Sequence, residues 1–238
     1  MKKYNVIIPA AGSARRLRPF SSLIPKSLLE IKNKPIIKHQ LDNLPVSYVK
    51  RVIVVLGYEG DQLKNYINSL NLHYPVIYCH NKNYTNTNCA YSLLQTKDYM
   101  LEGFVLLNCD LLFKKANILK LLNSHYLNTV NVRKNREYKT DLQDIFIDKE
   151  KIIKWSLNVI DANAEVMGPL KICAIDAEKV INYFDSLSEP EKEKIHCFSL
   201  FSKLVNIIDY HPVYIDDKTW IEIDTPKDLE KGKLIWGE

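Results

Sequence analysis

Glycine is scarce, with seven residues in 238, and this leaves little material for long flexible lids. Neither common glycine-rich phosphate fingerprint is present. There is no GxxxxGK followed by Ser or Thr, and no GxGxxG opening a helix after a strand, so a P-loop or an ordinary dinucleotide fold is excluded. The five cysteines, Cys79, Cys89, Cys109, Cys173 and Cys197, are odd in number and widely spaced. With no CxxC pair and no histidine at ligand spacing, they exclude a disulfide framework and a zinc site, and they read as buried thiols in a reducing cytosol. No apolar run approaches the length of a membrane span, and the short run in MKKYNVIIPA is too brief for a signal segment. A soluble, cytoplasmic protein without a membrane partner is expected. The net charge of +5 comes without any block of five or six basic residues. That balance suits anionic small molecules rather than nucleic acid.

What is present begins with Val6–Leu29, VIIPAAGSARRLRPFSSLIPKSLL. Val6, Ile7 and Ile8 form a continuous apolar run, as expected of a central parallel strand covered on both faces. The run breaks into small residues. Ala10, Ala11, Gly12, Ser13 and Ala14 let a nucleotide approach the backbone, whose N–H groups can turn toward anionic oxygens. Arg15, Arg16 and Arg18 follow within four positions, although the whole chain holds only six arginines. The planar guanidinium fork suits phosphate oxygens, whereas lysine would serve a merely solvated surface equally well. Pro19 and Pro25 keep the segment from becoming a helix, and Pro25 restricts the backbone beside Lys26. The segment reads as a phosphate cradle.

Downstream, IIKHQLDNL predicts a helix after Pro35, RVIVVLGY a strand, EGDQLKNYINSL a helix and PVIYCH a strand. An asparagine-rich loop then leads into a helix with Thr87 or Asn88 as N-cap, and FVLLNCD is a buried strand ending on Asp110. This alternation predicts an α/β fold, a Rossmann-like, mixed, mostly parallel sheet flanked by helices. After the helix ANILKLLNSHYL the character changes. DLQDIFIDKEKIIKWSLNV reads as a hairpin turning at Asp148–Lys151, followed by the strand VMGPLKICAI, the helices AEKVINYFDSL and PEKEKIHCFSLFSKLVN, and the strands PVYID and TWIEID. TPKDLEKGKLIW closes the chain as a helix capped by Thr225. With no linker or repeat, residues 1–238 read as a single domain with a small appended β region. A nucleotide-binding part covers about 1–128, and an acceptor and metal part about 129–238.

Acids at strand ends face the crevice where open α/β sheets bind ligands. Asp110 fits that position, as it would also fit a simple turn. Glu222 and Asp224, two residues apart on one strand, share a face. Asp110 and Asp224, with Glu222 beside them, are candidate ligands for Mg²⁺, which is held by one or two carboxylates together with phosphate oxygens and waters. Trp155 and Trp220 lie in the acceptor half, where they supply either an aromatic cage for a quaternary ammonium or ordinary core packing.

AAGSARRLRPFSSLIPKSLLEI resembles the signature of the nucleotidyltransferases that activate sugar phosphates and phosphocholine, AAGxGxRLxPxTxxxPKxLxxI. Arg16, Leu17, Pro19, Pro25, Lys26 and Leu28 match it. Ala14 replaces the second glycine, which is tolerable unless that position needs φ > 0. WIEIDTPKDL is similar to the segment carrying the family's second metal aspartate, and the NCD ending at Asp110 to the first. NYTNTNCAYSLL, through Thr87, Asn88, Tyr91 and Ser92, most resembles the phosphocholine cytidylyltransferase branch. EVMGPLKI, through Glu165, Gly168 and Lys171, is similar to a stretch of the same branch, although Leu157 stands where a lysine is usual. The resemblance implies transfer of CMP from CTP to a phosphate or phosphonate monoester with Mg²⁺, in the making of cell-surface polysaccharide or lipid precursors. It assigns catalysis to Lys26 and Arg16 and base recognition to Thr87, Asn88 and Ser92. Acceptor contacts would fall to Trp155, Glu165, Lys171 and Trp220. It leaves room for a homodimer. A sugar 1-phosphate transferase using UTP, dTTP or CTP, and a non-catalytic nucleotide sensor on the same fold, are the alternatives.

Overall fold

The structure is a computed structural model describing residues 2–134 and 143–236. In chain order its strands are β1 Tyr4–Pro9, β2 Glu30–Ile31, β3 Lys34–Pro35, β4 Val49–Leu56, β5 Val76–His80, β6 Phe104–Leu106, β7 Leu111–Phe113, β8 Thr129–Arg133, β9 Asp144–Asp148, β10 Lys151–Ser156, β11 Ala164–Ile172, β12 His211–Tyr214 and β13 Trp220–Glu222. The α-helices are α1 Ile36–Asn43, α2 Gly60–Asn68, α3 Cys89–Leu94, α4 Lys97–Met100, α5 Lys115–Asn123, α6 Ala174–Ser186, α7 Glu189–Lys194, α8 Cys197–Ser202 and α9 Pro226–Ile235.

The expected α/β sheet is there. Its path runs β10-β9-β11-β6-β1-β4-β5, with β8 and β12 continuing from β11. The strands β6, β1, β4 and β5 are mutually parallel, and β11 runs antiparallel to them. The side chains of β1 explain why this sheet is sandwiched. Ile7 packs into one core with Ile53 and Leu106, whereas Val6 and Ile8 pack into the opposite core with Val52 and Val54. Alternate residues point to opposite faces, so an unbroken apolar run is what a strand needs when helices cover both sides. The appended β region is continuous with this sheet through β11 and β6.

Three elements differ from the sequence reading. Strand β6 stops at Leu106, so Asp110 sits in the turn before β7 rather than on the strand itself. Thr129–Arg133, given no strand in that reading, forms β8 between β11 and β12. The helix expected over PEKEKIHCFSLFSKLVN divides into α7 and α8, because Ile195 and His196 take extended backbone. The hairpin is found as β9 and β10; residues 141 and 142 at the start of its predicted segment lie outside the described residues. Helix α9 begins as expected, with Thr225 and Asp228 forming a reciprocal capping box and Pro226 in its first turn.

Candidate active site

The carboxyl ends of β1 and β6 open onto a cavity of about 670 Å³. One wall is the loop after β1. Ala11 is buried, and its carbonyl accepts from the Tyr58 N–H at 2.9 Å. Only glycine suits position 57 beneath it, since a Cβ there would lie 2.5 Å from the Ala11 carbonyl oxygen. Gly12, Ala14, Arg15 and Arg16 line the cavity. Ala10 is buried behind them in the core, and Ser13 is half-buried but does not line the cavity. Ala14 has φ 45° and ψ 49°, left-handed backbone that favours glycine. The condition placed on that departure from the family pattern is therefore met: the position needs φ > 0. Ser21 Oγ donates to the Ala14 carbonyl at 2.8 Å and helps to hold the turn.

The opposite wall gathers the charged groups. Antiparallel pairing of β13 with β7, and the bond from the Ile223 N–H to the Asp110 carbonyl at 3.0 Å, bring Asp224 alongside Asp110. Lys26 Nζ bridges the two, 2.7 Å from Asp110 Oδ2 and 2.5 Å from Asp224 Oδ1. Arg16 donates to the other oxygen of Asp224 at 3.0 Å. Residues 208 positions apart thus close into one network. Burial opposes the charge on Lys26, but Asp110 and Asp224 outweigh it and hold the ammonium above its ordinary range. Burial likewise opposes the Asp224 carboxylate, and Lys26 and Arg16 reverse that effect. Glu222 goes the other way: burial first, then the charges of Asp110 and Asp224, push it up to about 8.

One oxygen each from Asp110, Glu222 and Asp224 falls within a 4.8 Å cluster. Asp110 Oδ1 is buried without a hydrogen-bond partner among the described residues. Buried acceptors are ordinarily satisfied. Three convergent carboxylates with an orphaned oxygen are a donor set that fits a hard divalent cation.

The third wall is the segment leading into α3. Thr87 and Ser92 line the cavity, and both are held by a residue that the sequence reading missed. Asn81 is buried; its Nδ2 donates to Thr87 Oγ1 at 2.9 Å and to Ser92 Oγ at 3.0 Å. It directly follows β5, so a polar residue ending an apolar strand, the signal that marks Asp110, would have marked it too. Asn88 caps α3 by accepting from the Cys89 N–H at 3.2 Å, while its Nδ2 donates to the Lys194 carbonyl at 3.0 Å. Its amide is therefore fixed. Tyr84, Gln143, His196 and Phe198 also line the cavity without having stood out in the sequence, and so does Leu157, noted there as standing where a lysine is usual.

The four expected acceptor residues are placed elsewhere. Trp155 is buried in the core, edge-on to Tyr210 with ring centroids 5.2 Å apart. Glu165 is buried in an ion pair with Arg133 Nε at 2.6 Å. Lys171 is buried with its Nζ on the Ser124 carbonyl at 3.1 Å, and burial, then nearby Lys2, push it down to about 8. Its strand partner Val105 lies beside the middle of β1, and its contacts with Ser124 and Lys2 place its head away from the cavity. Trp220 borders only a small void of about 50 Å³ adjoining Glu222 and Phe198. Glu165 and Lys171 share a physical reason: they lie within β11, which is buried throughout, so they point into packing rather than toward the strand ends, whereas Trp155 is a buried residue of the partly exposed β10.

Known proteins are similar to this chain in sequence and in fold. The sequence profile of the MobA-like NTP transferase domain matches residues 6–207. The CTP:phosphoglutamine cytidylyltransferase of Campylobacter jejuni is 26% identical over 250 residues, covering 95% of this chain and 98% of that one. The choline-phosphate cytidylyltransferase of Streptococcus pneumoniae is 26% identical over 236 residues, with 96% of each chain covered. Among solved structures, the inositol-1-phosphate CTP transferase from T. maritima superimposes with a TM-score of 0.81 at 22% identity, covering 99% of this chain and 96% of its own.

Proposed function

The chain belongs to the MobA-like NTP transferase domain family and is a nucleotidyltransferase, and from that premise we propose that it transfers CMP from CTP to a phosphate or phosphonate monoester, releasing pyrophosphate. The observation that carries the reading is the Arg16–Asp224–Lys26–Asp110 network at the strand ends, facing a cavity large enough for a nucleotide. Two relatives that match this chain nearly end to end are named for CTP, which supports cytosine as the donor base.

In this reading the backbone between Ala11 and Ala14 receives the triphosphate, and Arg15 and Arg16 hold the oxygens that leave as pyrophosphate. Thr87 and Ser92, fixed by Asn81, present hydroxyls to the base. An acceptor phosphate oxygen attacks the α-phosphorus in line while Lys26 steadies the acceptor and the developing charge. Asp110 and Asp224, with Glu222, would hold Mg²⁺, which when bound neutralises charge on the nucleotide phosphates. No covalent intermediate is required, since a phosphate monoester is already a competent nucleophile once the two anions are brought together. The burial of Trp155, and the place of Trp220 on a small void beside the main cavity, speak against a tryptophan cage for a quaternary ammonium. The acceptor head group instead meets the side bounded by Gln143, Leu157, Phe198 and Ser199.

The test is pyrophosphate release with CTP, UTP, dTTP, GTP and ATP, each against a panel of phosphorylated alcohols, amino-acid derivatives and sugars. Release with CTP and a non-sugar phosphomonoester is expected. Release only with UTP or dTTP and a sugar 1-phosphate moves the protein to the sugar-phosphate branch. Release with none of them favours a nucleotide sensor.

A further inference from the structure

Cys89 and Cys197 are the first residues of α3 and α8, and both line the large cavity. Though 108 positions apart, they touch. The Cys197 backbone N–H donates to the Cys89 sulfur at 3.0 Å. The neighbouring His196 takes Asn88 Nδ2 on its Nε2 at 2.9 Å. Asn88 reinforces the junction through its N–H, which donates to the Glu193 carbonyl at 2.7 Å. A backbone donor thus sits on a half-buried sulfur beside His196, while the partner Cys197 is buried. The nucleotidyl-transfer chemistry uses neither thiol.

We infer that Cys89 is a peroxide-reactive modification site whose oxidised sulfur is captured by Cys197 as a disulfide in the cavity wall. Donors around a sulfur favour the thiolate, and the thiolate is the form that attacks. The Cys197 hydrogen bond, opposed by burial and aided by His196, holds Cys89 well below the ordinary thiol range. Burial, then the Cys89 sulfur itself, raises Cys197, which therefore keeps its proton. The Cys89 thiolate attacks one oxygen of a hydroperoxide. The S–O bond forms, the O–O bond breaks, and the leaving hydroxide or alkoxide takes a proton to become water or an alcohol respectively, giving a sulfenic acid. The Cys197 sulfur then attacks the Cys89 sulfur. The S–S bond forms, the S–O bond breaks, and the hydroxide departs as water with the Cys197 proton. A dithiol reverses the bond by exchange. The cross-link fixes α3, which carries Ser92, to α8 at the edge of the cavity that both border.

The experiment treats the native chain with hydrogen peroxide and reads intact mass and mapped peptides. No turnover is measured, so its outcome is separate from the assignment of donor and acceptor. The expected product has lost two hydrogens, yields a joined Cys89–Cys197 peptide and reverts with dithiothreitol. Cys197→Ser should instead leave a sulfenic acid on Cys89 that dimedone traps. Cys79 is the internal standard, because it is also half-buried but burial raises its thiol. Cys89 should react faster than Cys79, on the order of tenfold or more. Equal rates at the two cysteines overturn the site. A sulfenic acid persisting on Cys89 in the unsubstituted chain overturns its capture by Cys197.

Discussion

The two ends of the cavity were unequally visible in the sequence. At the phosphate end, Arg16, Lys26, Asp110 and Asp224 come from three segments and meet within hydrogen-bond distance. At the acceptor end, Trp155, Glu165 and Lys171 are buried in strands and Trp220 borders a small void adjoining the main cavity. The difference is one of backbone location. Residues in the loop after β1, in the β6–β7 turn and just beyond β13 lie where strands run out and side chains have no layer to pack against. Residues within β11 are covered on both sides whatever their chemistry, and Trp155 is one of the buried residues of β10, where Ile153, Lys154 and Ser156 are exposed. A polar residue inside a doubly covered strand is held by another buried group, as Glu165 is by Arg133, rather than offered to a ligand.

The strongest way to break this contrast is at the carboxylates. Asp110→Ala or Asp224→Ala should lower turnover by several kcal/mol of transition-state stabilisation, on the order of a thousandfold or more. Circular dichroism should show the fold intact. A near-normal rate for Asp224→Ala in saturating Mg²⁺ would show that the phosphate end does not hold the cation.

Next in size is Lys26→Ala. One well-placed donor at developing charge is typically worth ~3 to 4 kcal/mol, so kcat should fall roughly a hundred- to a thousandfold with little change in the KM for CTP. The same variant leaves Asp110, Glu222 and Asp224 without their bridging cation. Its melting temperature should therefore fall without Mg²⁺ and recover when Mg²⁺ is added. An unchanged kcat with only a raised KM would remove Lys26 from the transition state.

Much of the fold was legible because β1, β4 and β5 are short apolar runs bounded by turn residues, and because α9 announces itself with Thr225, Pro226 and Asp228. Strand β8 was not, since TVNVR places three polar residues in five and its strand character comes from β11 and β12 on either side. The break between α7 and α8 was also hidden, because no proline or glycine marks Ile195–His196. The Cys89–His196–Cys197 contact depends on pairings across the fold that no local spacing records, whereas the Asn81–Thr87–Ser92 wall is local in sequence and Asn81 carried the unread signal of a polar residue ending a strand. Ala14 was visible as a departure from the family pattern, but its φ was not.

Lys171 tests the acceptor end. If it bound acceptor, Lys171→Met would raise the acceptor KM; if it is buried structure, the variant changes stability instead. With the folded pKa near 8 and the unfolded one near its ordinary 10.5, the unfolded chain binds more protons between those values. Stability should therefore rise with pH across that window, and the cost of burying the charge is fully present below about pH 8. Lys171→Met removes that cost and also the bond to Ser124. At pH 7 it should be at least as stable as the parent, by up to about 2 kcal/mol, with the rise between pH 8 and 10 flattened. Urea unfolding at three pH values measures both. A tenfold acceptor KM increase at unchanged stability would restore Lys171 to the acceptor site.

The smallest expected effect is at Ala14, where phosphate-loop geometry meets backbone strain. Left-handed backbone costs a non-glycine residue roughly 1 to 2 kcal/mol. Glycine in its place loses more chain entropy on folding, about 0.5 to 1 kcal/mol relative to alanine. Ala14 also packs against the small core of Leu17, Ile31 and Leu229, and removing its half-buried methyl sacrifices roughly 0.4 kcal/mol, half the value of a fully buried CH₂. The relief slightly exceeds the two losses, so Ala14→Gly should stabilise the chain by about 0.5 kcal/mol. For a chain of this size that is a rise of roughly 1 to 2 °C in Tm. The loop is anchored by the Leu17 N–H and Ser21 Oγ on the Ala14 carbonyl, bonds that do not depend on the side chain, so the KM for CTP should stay within about twofold. A fall in Tm of similar size would mean that methyl packing outweighs the backbone strain. A large rise in the KM for CTP would mean that the Ala14 methyl itself shapes the phosphate cradle.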